Sequence, residues 1–529
     1  MNTLSLAKYF LAVLCALAMA SAAQAKWYEA SSDHFVIYAD DSEKDIRRFA
    51  ENLERFHSGM AFITQRDIEK PSPSNRVTIF VVGNQREIRK LVGGESRNVA
   101  GFYIPRAGAS KAFVQDIRFK NGYPHFSTIV LLHEYAHHFL MSSTPFAMPR
   151  WVNEGAAEFF AAASFERDGS VWIGRPALHR AGDFAFADKV SIYELFDHKL
   201  YEKNKGQGHD AFYAQSWLTY HYLTFSPERR GQLNKYMVSV ANSTSSTEAA
   251  KDAFGDLGQL EKELKSYLRS RRMPGFKLTP EMVPISPVTL RELPEGEAKM
   301  MEVRIRSQRG VTREQAEELL PEAREIAAKY PNDPGVLAAL AEAEHDAGND
   351  VEAIRAADAA IALDPTNVNA LVQKGYSLFR MAGDAKESES EASYARAIDA
   401  FTALNQIEND HPLPLIYYYR SFAQQGKEPP ENARHALERA SELAPFDQTL
   451  AFNAAVMFAN EGKIALANYK LAPIAANPHG GRRASMAEFM MSQMKDAEEG
   501  KPFRLSNLSM AVANVRDELE GDKETRGED

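Results

Sequence analysis

Five prolines in the second half of this 529-residue chain, Pro331, Pro365, Pro412, Pro445 and Pro478, stand 34, 47, 33 and 33 residues apart. From about residue 275 onward the chain between them is alanine-rich and helical in pattern. A period near 34 is that of a helix–turn–helix unit that cannot bury its apolar side alone, so successive units must stack into an elongated array. The 47-residue interval carries the charged stretch Gly383-Asp384-Ala385-Lys386-Glu387-Ser388-Glu389-Ser390-Glu391, an insertion that lengthens one loop or helix and leaves the register intact.

Between Pro334 and Pro365 small residues fall where paired helices must approach closely: Ala341 in the first helix, Ala353 and Ala360 in the second, with Gly348-Asn349-Asp350 as the turn. Lys374-Gly375-Tyr376, then Ala433 and Ala440, keep part of the pattern. In these residues the segment of roughly 311 to 480 resembles the tetratricopeptide (TPR) repeat family. The resemblance implies an all-α TPR-type solenoid with a concave face that recruits a protein partner.

The first half is mixed. Phe35 to Tyr38 and Val77 to Val82 read as strands, and Asp45 to Phe62 has the apolar spacing of an amphipathic helix. Residues 1–25, with Lys8 before the apolar run Tyr9 to Met19 and Ala23-Gln24-Ala25 at its end, read as a signal peptide. The expected product is exported, periplasmic or secreted, with no membrane span after cleavage. Cys15, the one cysteine, lies in that signal, so disulfides and thiolate metal sites are excluded and metal binding falls to His, Asp and Glu. Loss of Lys8 moves the formal charge from −10 to −11. This acidity, with no basic run apart from Arg269-Arg271-Arg272, argues against nucleic acid as a partner.

Leu131-Leu132-His133-Glu134-Tyr135-Ala136-His137-His138-Phe139-Leu140 sits in a stretch without Gly or Pro, as a buried helix requires. Residues four apart share a helix face, so His133 and His137 can reach one tetrahedral zinc ion, while Glu134 beside them suits the general base that deprotonates water. His138 reads as a packing residue or a support for the ligands. Further on, Pro149-Arg150-Trp151-Val152-Asn153-Glu154-Gly155-Ala156-Ala157-Glu158-Phe159-Phe160 places two acids one turn apart on a second helix starting near Asn153. Glu154 would complete a three-ligand set, and Glu158 would accept the other ring N–H of a ligand histidine. The bland alternative, two glutamates solvating a helix face, fits poorly with the aromatic residues around them.

His-Glu-x-x-His followed by Trp-x-Asn-Glu-Gly-x-x-Glu resembles the gluzincins, the superfamily of thermolysin and the aminopeptidase-N-like enzymes, over about residues 125 to 225. The resemblance implies an α+β zincin-like catalytic domain, one Zn2+ per chain, His133, His137 and Glu154 as ligands, Glu134 as base, Glu158 behind a ligand histidine and Asn153 just before the third ligand. The sixteen residues between His137 and Glu154 make a shorter connection than in the well-known branches. The Gly-Ala-Met-Glu-Asn signature of aminopeptidases is absent, which points to an endopeptidase. Two strands around Arg106-Ala107-Gly108-Ala109 are either an ordinary hairpin or an edge for substrate pairing. In the aromatic run Phe212 to Leu223, Tyr213 is the expected oxyanion donor, with His221 and His209 as alternatives.

The expected organisation is a signal over 1–25, a zinc metallopeptidase-like domain over 26–278, a proline-punctuated linker or connecting element over 279–310, TPR-like repeats over 311–500 and a charged tail over 501–529. Two functions are compatible with it: a zinc metallopeptidase that recruits a protein substrate or partner through its repeats, and a repeat-based interaction or chaperone scaffold carrying an idle or gated zinc-binding domain. A fragment of residues 26 to 278 is expected to fold by itself.

Overall fold

The computed structural model describes residues 26–504, apart from 67–68, 94–98, 109, 121, 145, 207, 243 and 478–479. The expected signal, Pro478 and the tail beyond Arg504 lie outside the described residues. Among the described residues no helix is long and apolar enough to cross a membrane.

A six-stranded sheet organises the first half. It contains β1 (Tyr28–Ser31), β2 (Phe35–Ala39), β3 (Val77–Val81), β4 (Phe102–Ile104), β5 (Lys111–Val114) and β6 (Thr289–Glu292), in the order β6-β1-β2-β3-β5-β4. The β2–β3 and β3–β5 pairs are parallel, and the other pairs antiparallel. Alternate residues of a strand point to opposite faces, and here both faces are buried. Phe35, Ile37, Ile79 and Val114 meet α1 (Glu43–Thr64) and α2 (Phe126–Ser143) through Phe49, Phe56, Leu132 and Tyr135. Val36, Tyr38, Phe80 and Phe113 face the other way. Beyond α2 come α3 (Arg150–Ala161), which starts at Arg150 rather than near Asn153, and α4 (Phe212–Phe225).

The segment expected as a linker or connecting element forms part of the sheet. Its strand β6 pairs with β1 in register, Tyr28 opposite Glu292 and Ser31 opposite Thr289. Helix α5 (Glu295–Arg309) follows and is apolar on two sides: Met301 and Ile305 join the second face of the sheet, while Met300 and Val303 join the first helices of the repeats. The short extended runs of 279–310 concealed this because a four-residue edge strand is recognisable only by its partner.

The repeats are helical hairpins: α6 (Arg313–Lys329), α7 (Pro334–Asp346), α8 (Asp350–Leu363), α9 (Val368–Gly383), α10 (Glu387–Ile407), α11 (Pro412–Gln424), α12 (Glu431–Leu443), α13 (Gln448–Asn460), α14 (Ile464–Ala475) and α15 (Gly481–Gln493). Ala341, Ala353, Ala360, Ala433 and Ala440 have no exposed surface, as their small size anticipated. At Gly375 a Cβ would stand 2.7 Å from the Phe401 ring, so only glycine admits that crossing. The insertion lengthens helices: α10 has 21 residues where α8 has 14. Pro331, Pro365 and Pro445 lie in turns between hairpins, and Pro412 opens α11.

The array also returns to the first half. Glu408 accepts from the backbone N–H and the hydroxyl of Ser74 at 2.9 and 2.8 Å. The Leu443 carbonyl accepts from Asn75 Nδ2 at 3.1 Å, and Asp447 Oδ2 from the Ala107 N–H at 2.9 Å.

Candidate metal centre

Helix α2 begins at His125, whose ring accepts from the Ser127 N–H, and runs unbroken to Ser143. Helix α3 is buried from Trp151 to Ala161, anchored by Trp151 Nε1 donating to the Tyr236 hydroxyl at 2.9 Å. It crosses α4 so closely that a Cβ at Gly155 would lie 2.6 Å from the Ser216 carbonyl oxygen. This crossing sets Glu154 opposite α2.

Three donor atoms converge. Nε2 of His133 and Nε2 of His137 are 3.0 Å apart, and each is 3.4 Å from Glu154 Oε2. Donors about 2.0 to 2.1 Å from a tetrahedral zinc ion stand about 3.3 Å from one another, so this triangle has the size the ion needs. The opposite ring atoms are held as well. His137 Nδ1 donates to Asn153 Oδ1 at 3.0 Å, and His133 Nδ1 lies 3.1 Å from Glu158 Oε1. The hydrogen bond to Asn153 fixes the His137 tautomer, and the Glu158 carboxylate beside His133 Nδ1 favours that ring with Nε2 turned towards the centre. All three ligand candidates are buried, Glu154 completely.

The local field favours positive charge. Burial works against a charged His133, yet the Glu158 and Glu154 carboxylates overcome it and push the imidazole up to about 10. Burial opposes ionisation of Glu158 too, but His133, His179 and Arg180 hold its carboxyl well below the usual range.

His179 and Arg180 escaped the sequence reading. His179 Nε2 is 2.6 Å from Glu158 Oε2, and Arg180 donates through Nε to Oε1 at 2.9 Å. Their only signal was a basic pair in an irregular stretch, which no spacing rule connects to Glu158. Arg180 also lies over the Tyr213 ring, 4.8 Å from its centre. That ring is 6.2 Å from the His133 ring, so Tyr213 borders the centre. Burial pushes its hydroxyl well up, with the Glu154 charge adding to the effect, and keeps it a proton donor.

The two alternative donors are elsewhere. His221 has both ring nitrogens engaged in the core, Nε2 with the Gly174 carbonyl at 2.9 Å and Nδ1 with the Tyr267 hydroxyl at 2.9 Å. His209 pairs with Asp183 at 3.1 Å on the surface. His138 packs, with Nδ1 2.6 Å from the Tyr103 hydroxyl, and burial pushes it down to about 3. The hairpin around Gly108 exists, and its strand β4 forms one edge of the sheet.

No protein-family model and no curated protein matches the chain. Solved structures are similar to part of it, among them the following three. The thermophilic TPR protein TTC0263 of Thermus thermophilus is 13% identical, covering 34% of this chain and 91% of its own at a TM-score of 0.29. The MamA RS-1 ArsTM double mutant is 20% identical over 37% of this chain and 98% of its own, TM-score 0.27. MamA 41-end from Desulfovibrio magneticus RS-1 is 19% identical over 37% and 97%, TM-score 0.26.

Proposed function

We propose that this chain is a zinc-dependent metallopeptidase, an endopeptidase of the gluzincin type, acting after export. The observation that carries the reading is the triangle of His133, His137 and Glu154 donor atoms, 3.0, 3.4 and 3.4 Å on its sides. Zinc held there would supply electrophilic assistance to a scissile carbonyl and acidify water in the site. Glu134, next to the first ligand on α2, takes the proton from the attacking water and delivers it to the leaving amine. Tyr213 donates a hydrogen bond to the oxyanion that develops on the carbonyl. Glu158, braced by His179 and Arg180, keeps His133 turned to the centre, as Asn153 does for His137.

A second reading, an interaction scaffold with an idle or gated zinc site, draws support from the stacked helical hairpins and from the low exposure of His133 and His137, 8% and 6%. Stacked hairpins present a concave surface suited to a protein partner. The retention of Glu134 favours the enzyme, because metal binding alone does not need a base at that position.

The test is metal content measured beside a broad peptide-library digest of mature protein. About one zinc per chain with cleavage is expected. Glu134→Gln is expected to retain the zinc and lose the cleavage, since an amide cannot take the proton. Zinc without cleavage in the native protein would favour the scaffold, and a protein that takes up no zinc would end the peptidase reading.

A further inference from the structure

Glu134 lies on a row of α2 whose next two members, His138 and Met141, the repeats cover. Helix positions i, i+4 and i+7 share a face, so Glu134, His138 and Met141 form one row, turned about a quarter of the circumference from His133 and His137. The Phe446 ring lies 4.2 Å from the His138 ring, centre to centre, at 35°. Met141 packs into the apolar cluster of Phe446, Leu450 and Leu471. Phe446 is buried, in the turn between α12 and α13.

That turn is also anchored to the loop after β4. Asp447 caps α13 through Oδ1, 2.9 Å from the Leu450 N–H, while its Oδ2 holds the Ala107 N–H in the loop after β4. The neighbouring Gly108 donates to Asn75 Oδ1 at 2.8 Å and approaches His411 so closely that a Cβ would stand 2.9 Å from its ring. From β4 itself, the Tyr103 hydroxyl reaches His138 Nδ1. Burial pushes that hydroxyl up, a hydrogen bond with Ser110 opposes the shift, and the charges of Glu134 and Asp447 add to it.

We propose that the turn bearing Phe446 and Asp447 is a positioning element of the catalytic centre, through which the repeat array holds the Glu134 face of α2 in place. The inference rests on the peptidase reading for its catalytic consequence but not for its structural one. The array is then more than a recruiting arm: loosening this turn loosens the base, and a protein bound to the array can act on the centre through it.

The test compares full-length native protein with Phe446→Ala and Phe446→Leu. Hydrogen exchange over residues 126–143, with 43–64 as internal reference, reports on α2 directly. Metal release to a chelator and the visible spectrum of cobalt-substituted protein report on the centre, and kcat and KM on a cleaved peptide report on the base. Phe446→Ala is expected to speed exchange in α2 alone, to release metal about tenfold faster, to alter the cobalt spectrum and to lower kcat with KM unchanged. Phe446→Leu is expected to restore most of each, and it carries the comparison, with a smaller change of the same sign, should the alanine variant not fold. Unchanged exchange over α2 and unchanged metal release would overturn the proposal. If native protein binds no metal and cleaves nothing, the peptidase reading fails, while the exchange measurement still decides whether the turn holds α2.

Discussion

Buried carboxylates in the two halves of the chain have different surroundings. In the repeats, Glu344 is buried against Arg324, with Nε to Oε1 at 2.7 Å and a second nitrogen to Oε2 at 2.8 Å, and Asn349 Nδ2 adds a third contact at 2.9 Å. Such a pair is complete in itself and ties α6 to α7. In the first half, Glu154 faces the imidazole nitrogens of His133 and His137, which in their neutral form offer lone pairs of their own. A proton on His133 lets the three groups pair among themselves, and with both rings neutral their lone pairs converge on one point that a cation can occupy. One arrangement closes a seam between helices, while the other is suited to a ligand. A buried acid therefore reports function through the kind of atom facing it, and burial alone does not distinguish the cases.

The largest expected effect tests whether the halves can be separated. A fragment of residues 26–278, expected from the sequence to fold alone, lacks β6 and α5, which leaves the outer edge of β1 unpaired and Val36, Tyr38, Phe80 and Phe113 without part of their cover. It is expected to lose cooperative thermal unfolding and near-ultraviolet circular dichroism, whereas extension to residue 310 recovers part of both. A compact, zinc-binding 26–278 fragment would restore the independent-domain view.

Next in size is the ligand set. His137→Ala is expected to drop zinc below detection after dialysis and to abolish hydrolysis while the repeats keep their helicity. Full occupancy in that variant would exclude His137 as a ligand. Gly155→Ala approaches the same centre from behind. Its methyl group, 2.6 Å from the Ser216 carbonyl, pushes α3 from α4 at a cost of about 1 to 3 kcal/mol and weakens zinc retention by displacing Glu154. An unchanged melting midpoint would show that the crossing has slack.

Tyr213→Phe is expected to keep zinc and fold and to lower kcat by about 10²- to 10³-fold. A kcat within a factor of two of native would send the search for the donor to Arg180, which lies over that ring. The smallest effect lies in the repeats. Burial opposes ionisation of Asp350, but His345 and Arg380 hold its carboxyl down to about 2. A depressed acid stabilises the fold above its unfolded value near 4, and the contribution is lost as pH falls from about 4 to 2. Partial exposure of the pair screens it to about 1 kcal/mol or less. Asp350→Asn is expected to flatten the acid slope of stability in that window only, and an identical slope would remove the assignment.

Local order is legible in the sequence. The helix around His133, the i, i+4 placement of its histidines, the Glu154–Glu158 pair and the stacked hairpins all follow from periodicities of 3.6 and about 34, which belong to contiguous residues. His179 and Arg180 could not be found this way, because what makes them partners of Glu158 is the path of an irregular segment. The same holds for the exclusion of His221, which carries the right chemistry in a core position where both nitrogens are engaged.

The sequence by itself determined that the second half is a run of stacked helical hairpins, and that His133, Glu134 and His137 share one helix while Glu154 and Glu158 share another, because those properties reside in spacing within one element. Only the tertiary structure decided that 279–310 completes the sheet, that α5 serves two cores at once and that Phe446 reaches His138. Pairing an edge strand and packing helices more than 300 residues apart depend on which surfaces remain uncovered after the local elements form, and no local pattern encodes that.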